Sequence, residues 1–187
     1  MHKKVKLVLS LFLIIAIFIG VLFVANSFSD NPALLEFVAG FGYIGVTFIA
    51  IVAGLNTFVP LPAATFTPIF TASGLSIPLI IFFLALGTLI ADFIGFMLGH
   101  VGRDLIMVKY PKIFAFVTNI QENHQKLITP VVILYASFVP FPNEAILIPL
   151  ALAGTKFKSL VIPLIIGNII HQAVIIYGVQ SILELFS

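Results

Sequence analysis

The stretch Phe138-Val139-Pro140-Phe141-Pro142-Asn143-Glu144-Ala145 decides how the surrounding chain folds. Two prolines two positions apart remove two amide donors and push the residues before them out of the helical region. The apolar run in which they lie, residues 127–154, therefore cannot be one helix. It divides into arms of about 12 to 17 residues, below the roughly 20 that a comfortable transmembrane helix needs. The same device recurs at Phe58-Val59-Pro60-Leu61-Pro62, inside the apolar run 42–74. Bent backbone at membrane depth persists only where protein or a water-filled cavity satisfies its polar groups. Both runs are thus expected to form re-entrant or broken helix hairpins, with Pro60, Pro62, Pro140, Pro142 and Asn143 at the tips.

Composition agrees with this reading. Of 187 residues 61% are hydrophobic and 9% charged, with a mean hydropathy of +1.24, whereas a soluble domain carries about 25% charged residues. The expected fold class is an all-α membrane protein, one domain over residues 1–187. With no cysteine, disulfides, thiolate chemistry, Cys-ligated zinc and iron–sulfur clusters are excluded. A net charge of +2 is too small to argue for nucleic acid. Neither an H-E-x-x-H pair nor a phosphate-binding glycine loop occurs, so no metal or cofactor is expected. An intramembrane serine protease using Ser73 and His171 fails on its motif, because Thr71 stands where the first glycine belongs. The chain is therefore not expected to be an enzyme.

The first apolar segment, 7–25, follows His2, Lys3, Lys4 and Lys6 and is long enough to cross a bilayer. It reads as an anchor within residues 1–26; a signal peptide would need a shorter apolar core and a better cleavage site than Val24-Ala25-Asn26-Ser27. Pro32 suits the first position of a helix capped by Asp30 or Asn31. Two ordinary spans are expected at 78–99 and 160–177. The linker between repeats, 101–126, places Ile113, Phe116, Val117 and Ile120 on one helical face, as in a helix lying on the membrane surface after Pro111.

Sliding the sequence against itself by 80 residues aligns Phe58-Val59-Pro60 with Phe138-Val139-Pro140, and Pro62 with Pro142. The same offset aligns Gly74 with Gly154, Leu84 with Leu164, Gly87 with Gly167 and Ile90 with Ile170. Shared proline and glycine positions mark backbone geometry, so residues 41–100 and 127–180 read as two repeats. Duplicated broken helices are a sequence pointer to a midplane transport site. With a cytoplasmic amino end, all nine Lys and Arg residues fall on the cytoplasmic side, the positive-inside pattern. The hairpins then enter from opposite faces, giving an inverted repeat in a multi-pass protein. A prokaryotic cytoplasmic membrane is the expected location.

Glu144 follows the second tip directly, and a carboxyl at membrane depth is costly enough to be a functional candidate. It also suits the first turn of a helix, with Asn143 as its N-cap. Asp92 lies inside the first long span, four residues after Thr88. The offset places Asn168 and Gln172 at the matching positions, with His171 beside them, so each span carries a polar stripe. Glu144, Asp92 and His171 can change charge and are the candidates for transport or proton coupling. Thr88, Asn168 and Gln172 also suit plain interhelical hydrogen bonding. Gly87, Ala91, Gly95 and Gly99 form a small-residue stripe that lets another helix approach. Arg103, at the end of that span beside His100 and Asp104, is a head-group candidate or an interfacial anchor.

These features together resemble the DedA/VTT family, also called the SNARE-associated Golgi protein family. The resemblance rests on GYIGV at 42–46, FVPLP at 58–62, the spacing of Gly87, Asp92 and Gly95, GHVGR ending at Arg103, FVPFP at 138–142, and Gly154. It implies an inverted pair of re-entrant hairpins and lipid transport or scrambling. For bacterial members it implies recycling of a polyprenyl-phosphate carrier lipid or phospholipid translocation, often coupled to the proton motive force. Members of the family usually carry acids around the first tip and arginines around the second. Here Leu55 and Ala64, then Ser137 and Asn143, stand at those positions, so the bidentate arginine clamp for phosphate is missing. The expected function is a lipid flippase or scramblase; a proton- or ion-coupled carrier of a small solute is the alternative. Membrane lipids are the expected partners, with protons as a coupling ion and a second copy of the chain as a further candidate.

Overall fold

The computed structural model describes residues 31–55, 62–109, 125–139 and 141–185, with isolated positions 20, 111, 115, 118 and 119. The expected anchor at 7–25, Pro60 and Pro140, and most of the expected surface helix after Pro111 lie outside these residues. The described chain is helical, with no strand. Its helices are α1 (Pro32–Gly54), α2 (Thr67–Ala72, preceded by a 3-10 turn at Ala63–Phe66), α3 (Ile77–Val101), α4 (Arg103–Lys109), α5 (Gln125–Phe138), α6 (Glu144–Leu152) and α7 (Phe157–Leu185).

Three of them are long and apolar enough to cross a membrane: Pro32–Gly54, Ile77–Val101 and Phe157–Gly178. The spans expected at 78–99 and 160–177 are thus present and slightly longer. The first differs more. Asn31 caps α1 by accepting from the Ala33 and Leu34 amides at 3.1 and 3.3 Å, and Pro32 opens the helix. The helix then continues into the apolar run that begins at Gly42. Gly42, with φ 52° and ψ −139°, breaks it at the point where that run begins.

Pro62 and Pro142 are each followed by a short helix, and the two helices stop in the same way. Gly74 and Gly154 each have φ 87°. The Gly74 amide donates to Thr71 O at 2.9 Å and the Leu75 amide to Phe70 O at 3.1 Å. At the second site Gly154 donates to Ala151 O and Thr155 to Leu150 O, both at 3.0 Å. These are Schellman stops, for which glycine is favoured because an L side chain is strained at positive φ. They lie 80 residues apart.

The packing is exchanged between halves. α1 lies along α3 and α5 along α7, whereas α6 packs on α3 and the 3-10 turn on α7. One core gathers Val46, Ala50, Phe70, Ile80 and Leu84 with Ile176 from α7. The other gathers Val132, Ala136, Leu150, Leu160 and Leu164 with Phe96 from α3. Position by position these two sets correspond, including the residue that each half borrows. The offset is 80 from the prolines onward, but Val46 and Ala50 match Val132 and Ala136 at 86. The extra six residues fall between the end of α1 and Pro62.

Close contact of α1 with α3, and of α5 with α7, depends on glycine. A Cβ on Gly87 would collide with the Thr47 carbonyl oxygen and lie 2.6 Å from Ala50 Cβ; one on Gly167 would lie 2.6 Å from Ala136 Cβ and 3.1 Å from Ile133 O. Without water to drive helices together, such packing carries much of the association energy in a bilayer. Gly87→Ala and Gly167→Ala should each destabilise the folded protein by about 1–3 kcal/mol. Gly178→Ala, where a Cβ meets nothing within 4 Å, is the control. Thermal unfolding in detergent checks this; equal midpoints for all three variants would contradict the packing.

Candidate functional site

The α3 stripe of small residues serves two partners. Gly87 and Ala91 meet α1: the Ala91 Cβ lies 2.6 Å from where a Gly54 Cβ would stand. Gly95 and Gly99 meet α6: a Cβ on Gly95 would lie 2.6 Å from Glu144 Cγ, and one on Gly99 3.0 Å from Ala151 Cβ. Gly95 therefore makes room for an acidic side chain rather than for a helix backbone. Between these two contacts, on the inner face of α3, lies Asp92.

Asp92 is 2% exposed and accepts three hydrogen bonds, all from neutral amides. Asn143 Nδ2 donates to both carboxylate oxygens at 3.0 and 3.1 Å, and Asn168 Nδ2 donates to Oδ2 at 2.9 Å. Asn143 Nδ2 also lies 3.1 Å from Asn168 Oδ1, closing a ring of three side chains. An ionised carboxylate only accepts, which fixes how both amides are turned. Among the described residues no lysine, arginine or histidine pairs with Asp92. Glu144 is 9% exposed and adjoins this ring through its neighbour Asn143.

One turn away, Gln172 Nε2 donates to Thr88 Oγ1 at 3.3 Å, and the Thr88 hydroxyl donates back to Leu84 O at 2.9 Å. The pairing is reciprocal. Thr88 and Asp92 correspond to Asn168 and Gln172 under the 80-residue offset, yet Thr88 bonds to Gln172 and Asp92 to Asn168. That crossed pattern means that α3 and α7 pack antiparallel here. Gln172 Oε1 is buried without a hydrogen-bond partner.

Sequence reading named every side chain in this ring, and the structure brings Asp92, Asn143 and Asn168 together and seats Glu144 beside them. Two roles need correction or completion. Asn143 was expected to cap α6, but its side chain makes no capping bond and turns instead to Asp92 and Asn168; the first turn of α6 donates to the Pro142 and Asn143 carbonyls. Bonds from the Asn143 Nδ2 hydrogens to a carboxylate are roughly twice as strong as neutral ones, so they set the side chain's orientation and draw it away from the helix start. His171 does not join the ring: its Nδ1 lies 3.2 Å from Ser137 O, where it donates to the carbonyl that ends α5. Ser73, whose hydroxyl donates to Ile69 O at 2.8 Å, makes no pair with His171.

Arg103 lies against Gly154 rather than at a tip, its Nη atoms 3.3 and 3.4 Å from where a Cβ would stand. Pro62 begins the 3-10 turn and Pro142 precedes the ring, its carbonyl accepting from Tyr135 Oη at 3.3 Å. Tyr135 was not foreseen; nothing in its sequence surroundings sets it apart from other apolar-face tyrosines. Among the described residues no group of acids and histidines suited to a metal ion occurs. No protein-family model matches the chain, and searches of curated proteins and of solved structures return no match.

If Asn143 serves Asp92, then Asn143→Ser, which keeps a capping side chain but is too short to reach the carboxylate, should cost as much as Asn143→Ala. Each should lose about 1–3 kcal/mol, the penalty for leaving buried partners unsatisfied. Chemical or thermal unfolding in detergent measures it; a serine variant as stable as the parent would restore the cap as the main role.

Proposed function

We propose that this chain is a multi-pass membrane transporter that passes a lipid head group between leaflets, built on two oppositely oriented halves. The observation that carries this reading is the buried ring at Asp92. A carboxylate inside a helix that crosses the bilayer, held only by neutral amides, has no fixed countercharge, and isolated buried charge is very costly. A stable structural core would use an apolar residue there. A site that takes up and releases a proton, a cation or a polar group has reason to keep it.

Depth supports the same reading. Asp92 lies 15 residues into α3, about 22 Å along its axis at 1.5 Å per residue. Asn143, from the second tip, reaches Asp92 there, which supports a tip that halts inside rather than crossing. The crossed pairs Thr88–Gln172 and Asp92–Asn168, the exchanged cores and the matching Schellman stops fit an inverted repeat of re-entrant hairpins. With the amino end cytoplasmic, every Lys and Arg falls on one side. Lipid as the cargo follows from the resemblance to the DedA/VTT family.

One observation favours the second reading, a proton- or ion-coupled carrier of a small solute. The ring is closed and small, and no arginine stands at either tip to hold a phosphate. Reconstitution into liposomes with fluorescent phospholipid separates the two. Lipid transport predicts protein-dependent exchange between leaflets that Asp92→Asn slows at least about tenfold, the loss of roughly one strong interaction. No lipid exchange, together with solute uptake down a proton gradient, would establish the second. In either assay Glu144→Gln should flatten the pH dependence of the rate, and an unchanged profile would remove Glu144 as the proton site.

A further inference from the structure

The two halves differ at one place where their backbones correspond. Beside the first Schellman stop, Tyr43 of α1 fills the space next to Ser76. Its hydroxyl lies 3.2 Å from Ser76 Oγ and accepts from the Ser76 amide at 3.0 Å, while its ring stacks on Phe83 with centroids 5.1 Å apart. In the second half the offset of 80 puts Lys156 at the place of Ser76, and the offset of 86 puts Thr129 at the place of Tyr43. Threonine is too short to fill the space that tyrosine fills. A cavity of about 370 Å³ stands there, with Gln125, Thr129, Thr155, Lys156 and Ser159 as its polar lining.

The groups left over in that cavity are donors. The Thr155 hydroxyl oxygen is buried and has no hydrogen-bond partner. The Lys156 amide, counterpart of the Ser76 amide that donates to Tyr43, finds no acceptor among the described residues. Ser159 is already engaged, its hydroxyl donating to Lys156 O at 2.7 Å, and it shapes the turn. Lys156 supplies an ammonium, and none of the described side chains that line the space is acidic. Unused donors beside a lysine ammonium suit an anion with several acceptor oxygens.

We propose that this cavity binds a phosphate group, either the head-group phosphate of an anionic lipid or free phosphate. It sits where α7, a membrane-crossing helix, begins, at the boundary where lipid phosphates lie. The lipid-transport reading bears only on the source of the phosphate; the binding chemistry stands on the cavity itself. The site also gives the chain a phosphate contact away from the tips, which lack arginine.

Full-length protein in detergent, examined by native mass spectrometry with phosphatidylglycerol or diacylglycerol, tests the proposal. The parent should retain phosphatidylglycerol and not diacylglycerol. Thr129→Tyr, which rebuilds the filling of the first half, and Lys156→Ser, which installs the first half's residue, should each lower retention about tenfold, as expected for the loss of a charge-assisted contact. Their unfolding midpoints should stay at the parent's value. Displacement of the lipid by millimolar inorganic phosphate would mark free phosphate as the natural ligand; resistance to displacement would mark the lipid. Retention unchanged in both variants overturns the site. Binding is read without transport, so a protein that holds phosphatidylglycerol yet exchanges no lipid keeps the site and sinks the transport reading.

Discussion

The structure turns on one buried carboxylate. Asp92 accepts from Asn143 and Asn168, which lie 51 and 76 positions away in the chain. These three bonds join α3, the second tip and α7 at one point. A carboxylate in such surroundings tolerates no vacancy among its donors, because each lost bond exposes part of a large desolvation penalty. The tip therefore cannot slide along α3 without breaking the ring, and α7 cannot rotate without withdrawing Asn168. Register of the second half against the first is set here, while the apolar contacts around it are compatible with several registers.

Small residues complement that restraint. Dispersion and close backbone approach hold helices together where lipid competes for apolar surface. Gly87 and Gly167 let α1 and α5 close on their long helices, and Gly95 opens a place for Glu144. The stripe on α3 is thus continuous in sequence but divided in use: its first two members face the arm of their own half, and its last two the returning helix of the other half. Exchange of that kind ties the halves together more firmly than a flat interface would. Each core also loses a buried member, Ile176 or Phe96, if the other half departs.

Much of this was legible in the sequence because proline and glycine act through backbone geometry, which is local. The paired prolines, Gly74 and Gly154, and the stripe at Gly87–Ala91–Gly95–Gly99 pointed to the breaks, the stops and the close approaches. The polar stripe of Thr88, Asp92, Asn168 and Gln172 was legible for the same reason, since helical spacing alone puts those side chains on one face. The role of Asn143 was not legible. A residue before a helix start scores as a cap on local grounds, and its alternative partner lay 51 positions away. Nor was the offset of 86 before the tips, because apolar helices carry few marks by which to align them. The matched cores and the pairing of Gly87 with Ala50 and of Gly167 with Ala136 fix it.

That corrected register exposes an asymmetry that the repeat conceals. Where the second half has Glu144, Thr129, Thr155 and Lys156, the first has Ala64, Tyr43, Leu75 and Ser76. Ala64 is fully buried and Tyr43 closes its own space with a ring and a hydroxyl. The first of these matched segments is thus filled and apolar, and the second is polar, charged and open at the corresponding place. In the proposed inverted repeat, duplication supplies two equivalent backbones, so side chains in one half are free to change while the other preserves the frame. On the proposed reading, the second half handles the polar cargo and the first serves as its fixed counterpart, which gives direction to a structure whose backbone has little of its own.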